Sequence, residues 1–98
     1  MDYAEKGGSR PGSTTVGVAS VQVVPFNAYR KQLVLCNTSA NDIYLVKGDG
    51  PAALATGIYF QALMTIIIEP DTLGNIWKGA IQAISGGAGR IISWTEDW

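Results

Sequence analysis

Short apolar runs alternate along this chain with clusters of Gly, Pro, Asn, Asp and Ser, and the runs are too brief for a helix-and-sheet fold. The pattern is organised around residues 30–60. There Leu33-Val34-Leu35-Cys36 is closed by Asn37-Thr38-Ser39-Ala40-Asn41-Asp42, whose short polar side chains bond to nearby backbone and turn it. Ile43-Tyr44-Leu45-Val46 then resumes, and Gly48-Asp49-Gly50-Pro51 stops it. Two β-prone runs around a polar turn predict a hairpin, which Arg30-Lys31-Gln32 enters from solvent.

Further strands are predicted on both sides. Residues 16–26 are rich in valine, with a change of phase near Ala19-Ser20 that predicts a bulge or two short strands, and Pro25 ends the ladder or marks an edge. Pro51-Ala52-Ala53-Leu54-Ala55 is compatible with one helical turn, stopped by Gly57 before Ile58-Tyr59-Phe60. Residues 63–68 are apolar in both phases, as in a strand covered on both sides or placed at an interface. Residues 80–84 and 90–95, joined by Ser85-Gly86-Gly87-Ala88-Gly89, predict a terminal hairpin, and Trp98 is expected to pack on the sheet or across an interface. The expected fold is all-β: a β-sandwich or jelly-roll-like barrel over residues 16–98, preceded by an extended, flexible N-terminal arm over residues 1–15.

Length and charge narrow this further. Ninety-eight residues make one domain. Only 15% are charged against 47% hydrophobic, so either the exposed face is uncharged and polar or apolar surface is buried against another chain. A net charge of -1 argues against neutralising phosphates, so no nucleic-acid partner is expected. No run reaches the length of a membrane span, and the opening residues, with Asp2 and Glu5, do not read as a signal peptide, so no membrane association and synthesis in a cytoplasm are expected. Cys36, the only cysteine, reads as a small buried hydrophobe.

Candidate chemistry is sparse. The chain has no histidine, which excludes Ser-His-Asp and Cys-His centres and imidazole zinc sites. Its eight carboxylates fall in turns or termini, where turn chemistry accounts for them, and the glycines of residues 85–90 lack the Lys-Ser/Thr of a phosphate loop. Asn37-Thr38-Ser39 matches the glycosylation triplet without a secretion signal beside it. No catalytic residue, cofactor or metal is expected. Large aromatics and the apolar run are expected to serve as interface anchors, with Leu63, Ile66, Ile68, Trp77, Trp94 and Trp98 in the domain and Tyr3 and Arg10 on the arm.

Arg30-Lys31-Gln32-Leu33-Val34-Leu35 with Asn37, then Asn41-Asp42-Ile43-Tyr44-Leu45, Gly48 and Gly57-Ile58, resembles small all-β structural proteins of tailed bacteriophages, of the head-decoration or head-fibre type. The resemblance continues through Gly79-Ala80-Ile81-Gln82-Ala83-Ile84 and Thr95-Glu96 and covers about half of the chain. It implies a virion component at the capsid surface that binds the major capsid protein as a homo-oligomer, a trimer in particular. The alternative is a carbohydrate-binding or host-attachment module of a phage fibre or tail, with Trp77, Trp94 or Tyr59 as the stacking platform.

Overall fold

The computed structural model describes residues 8–54 and 56–98. They form β1 (Ser9–Val16), β2 (Val21–Val24), β3 (Gln32–Asn37), β4 (Ile43–Lys47), β5 (Ile58–Phe60), β6 (Thr65–Ile68), β7 (Ile81–Ser85) and β8 (Arg90–Asp97). Two antiparallel sheets result, ordered β1-β8-β3-β6 and β2-β7-β4-β5. Strand 1 pairs with 8, 2 with 7, 3 with 6 and 4 with 5. A chain doubled back at the β4–β5 connection and rolled into two layers gives this nesting, which is the double-sheet jelly roll.

The topology corrects both predicted hairpins. β3 and β4 lie in opposite sheets, as do β7 and β8, and among the described strands only β4–β5 returns within one sheet. The reason is geometric: five residues, 38–42, span roughly 16 Å when extended, enough to cross the roughly 10 Å between packed sheets. A hairpin and an arch carry the same alternation, because Leu33, Leu35, Ile43 and Leu45 are core-facing in either.

The arm expected over residues 1–15 is corrected from Ser9 onward. β1 pairs along its whole length with β8, from Ser9 opposite Asp97 to Val16 opposite Arg90. Its Gly and Pro content has a tertiary reason. A side chain at Gly12 would overlap the Trp94 indole, and a Cβ at Gly8 would lie 2.8 Å from that of Trp98. The glycines make room for the tryptophans of the neighbouring strand, as aromatic rings do when they cover edge glycines. Pro11 is tolerated because β1 is an edge. Met1 to Gly7, with Tyr3, lie outside the described residues.

β1 ends at Val16 and β2 begins at Val21, so the phase change near Ala19-Ser20 marks a break between two strands; β2 itself carries a register shift between Gln22 and Val24 and ends ahead of Pro25. The core unites Val16, Val24, Leu33, Leu35, Ile43, Leu45, Phe60, Ile81, Ala83 and Ile92 from seven strands. β7 is buried at every position. Its second face is covered because the β4–β5 connection folds back across it: Gln82 Nε2 donates to Gly48 O and Ala52 N donates to Ser20 Oγ beside β2. Gly57, just ahead of β5, has φ +80°, and a Cβ there would collide with Leu45 O. Residues 52–54 form no helix; Leu54 lies in a turn. Cys36 is half-buried on the outer face of its sheet rather than in the core, because it alternates with the inward Leu35 and Asn37.

Candidate functional site

β3 is pinned by a buried polar side chain at each end. At its start Arg30, expected in solvent, is 1% exposed. Its Nε donates to Glu96 Oε2 at 2.7 Å, Nη1 to Trp77 O and Gly79 O at 3.0 Å each, and Nη2 to Pro25 O at 2.8 Å. One guanidinium thus joins the end of β2, the approach to β7 and the end of β8. Glu96 is fully buried, against the expectation that every carboxylate sits in turn chemistry. Its other oxygen, Oε1, accepts from Arg10 Nε at 3.1 Å and lies in ion-pair contact with Arg10 Nη2 at 3.0 Å. Arg10 stands between the Trp94 and Trp98 rings, 5.7 and 5.6 Å from their centroids, within cation–π range. This clasp ties β1 to β8 and closes one end of the sandwich.

Asn37 is the pin at the other end. Its Nδ2 donates to Asn41 O, Phe60 O and Gln61 O, and its Oδ1 accepts from Ser39 N and Ser39 Oγ. The amide that the glycosylation triplet would modify is consumed inside the fold. Beside it, Asp42 holds Tyr59 above the ordinary tyrosine range, first by accepting the phenol's hydrogen bond, then with partial burial and the carboxylate charge adding to it. The neutral phenol is the favoured form, so this contribution to stability is present while pH lies below the ordinary tyrosine value and is lost as pH rises through the elevated one. A phenolate absorbance titration should show Tyr59 ionising late, and Asp42→Asn should return it to the ordinary range; an unchanged titration in the variant would disprove the coupling.

Between β5 and β6 the sandwich stands open. A 180 Å³ cavity enters the core there, lined by Leu35, Leu45, Ile58, Ile66, Ile67, Ile68 and Ile81, with Lys47 as the one charged residue of the lining. Ile58 and Ile67, 40% and 55% exposed, stand at its mouth. A wider groove of 540 Å³ continues from it between β6 and the 69–77 loop, past Lys47, Glu69, Asp71, Asn75 and Trp77. Leu63, just before β6, has φ 61°, the one positive φ at a non-glycine among the described residues. For a bulky side chain this is a strained conformation, and Leu63 is 73% exposed.

The residues expected at an interface are distributed as follows. Leu63 projects into solvent, while Ile66 and Ile68 turn inward and line the open margin with their edges. Trp94, Trp98 and Arg10 form one stack, and Trp77 stands apart near the groove. All three indoles are built alike: each lies on a glycine (Gly12, Gly8 and Gly79) and has a cation over its ring, Arg10 for two of them and Lys47, at 5.8 Å, for Trp77. Arg30, Glu96, Ile58 and Ile67 were not singled out by sequence reasoning. The only available signal was a charged residue at the border of an apolar run. No group of three or more metal-binding side chains occurs among the described residues. Comparison with protein-family models, curated proteins and solved structures yields no match.

Proposed function

We propose that this chain is a capsid decoration, or cement, protein of a tailed bacteriophage, which binds the exterior of the assembled head as an oligomer and stabilises it. The observation that carries this reading is the predominantly apolar margin between β5 and β6, where Lys47 is the one charged side chain among seven apolar ones, on a jelly roll whose buried charges, Arg30 and Glu96, are spent on closing one end. A subunit of this kind works by being rigid and by leaving one apolar surface for a neighbour. The resemblance of residues 30–60 and 79–96 to phage head proteins points the same way, and jelly rolls serve in capsid as well as lectin domains. Stabilisation follows from mass action: a ligand that binds only the assembled shell adds about 2.7 kcal/mol per site at a hundredfold excess over its Kd.

The purified chain should co-sediment saturably with undecorated heads and raise the temperature at which they disassemble. Absence of binding at saturating concentration would end this reading. The alternative, a carbohydrate-binding or host-attachment module, is favoured by one feature: Tyr44 and Tyr59 pair on the outer face at 5.8 Å between centroids, with Tyr59 48% exposed. The tryptophans, each already covered by a glycine and a cation, offer a poorer stacking surface. Glycan binding lost on Tyr59→Ala would support that alternative.

A further inference from the structure

We propose that two copies of this chain associate through the free edges of β6, paired antiparallel about a two-fold axis, so that two four-stranded sheets become one of eight strands. Each sheet has two edges, and three of the four are protected. β1 carries Arg10 and Pro11, β2 has a register shift and is followed by Pro25, and β5 is three residues long. These are the devices by which edge strands avoid pairing. β6, Thr65-Ile66-Ile67-Ile68, has no charge, no proline and no bulge.

The hydrogen-bond pattern specifies the occupant as a strand and sets its register. Asn37 N donates to Met64 O. Alternation in an antiparallel ladder therefore turns Ile66 and Ile68 toward β3 and leaves the N–H and C=O of Thr65 and Ile67 facing outward. A second β6, centred with Ile66 opposite its counterpart, sets Thr65 against Ile67 in both directions and satisfies all of these outward groups without reaching beyond the strand. Charge selects the antiparallel sense. In this register each Glu69 falls opposite Leu63 of the other copy, roughly 20 Å from the like carboxylate at about 3.3 Å per residue, further than the Debye length of about 8 Å. Parallel pairing would set the two side by side. The inward Ile66 and Ile68 of the second copy would extend the apolar inner face past β5, over the exposed Ile58 and the cavity mouth.

This contact supplies the subunit association that the proposed function calls for, but it is formed without the shell and is tested without it. By sedimentation equilibrium the full chain should have twice its 10.4 kDa mass. Ile67→Lys and Thr65→Lys, which place a charge on the edge, should halve that mass while circular dichroism remains that of a folded β protein. Leu73→Lys, at an 84% exposed apolar residue on the 69–77 loop, should stay dimeric. A wild-type monomer, a trimer, or a dimer that survives both edge variants would overturn the proposal. Shell binding by a monomeric protein would leave the decoration reading standing, and a dimer that ignores shells would remove that reading alone.

Discussion

Arg30→Met should lower the melting temperature by at least about 12 °C, the largest effect expected of any single substitution here. The guanidinium is fully buried and holds Glu96 and three backbone carbonyls. Removing one partner of a buried ion pair typically costs about 3–5 kcal/mol, because the remaining charge is left without compensation, and each kcal/mol is worth roughly 4–8 °C in a domain of this size. Arg10 softens the loss only partly, since its side chain is 46% exposed and bonds the other carboxylate oxygen. The double variant Arg30→Met/Glu96→Leu should lose clearly less than the two single variants added together, because it removes both buried charges. Strict additivity in that cycle would show that the two groups act independently and that the clasp does not exist.

Asn37→Leu is expected to cost about 3 kcal/mol despite conserving volume. The side-chain amide serves three carbonyls and the backbone N–H of Ser39, and buried polar groups left unpaired cost about 1–3 kcal/mol each when water cannot replace the partner. The loss should concentrate at one end of the sandwich. Amide exchange should accelerate at Ser39 and at Leu63, whose N–H donates to Asn37 O, while amides near Arg30 stay protected. A melting shift under a few degrees would mean that water substitutes for the amide and that Asn37 is no pin.

The two pins show why parts of the fold could be read from the chain and parts could not. Alternation and turn residues marked seven of the eight strands, β3 through β8 with boundaries within a residue or two and β2 inside the valine-rich 16–26 stretch, since burial on one face imposes a period of two wherever it occurs. β1 escaped because its Arg10, Pro11 and Gly12, with Gly8 just ahead of it, have the composition of a tail. They form a strand only because Trp94 and Trp98 of β8, more than 80 residues away, cover the spaces they leave. The predicted hairpins are arches for a different reason: an arch and a hairpin share one local pattern, and the choice depends on what the far ends of the strands meet. In the site, Ile66, Ile68 and the tryptophans could be picked out in advance as large side chains that must pack, and within the chain they do, whereas Arg30 and Glu96 could not be placed inside, because a charge reads as solvent-facing until its partner is known.

An all-β chain with short strands, little charge and no imidazole chemistry was therefore settled by composition and period alone, properties that belong to each segment separately. Which segments share a sheet, which charge goes inside and which edge stays bare depend on contacts between distant residues. Their energies exist only once the two layers have closed, so no stretch of the chain carries them in advance.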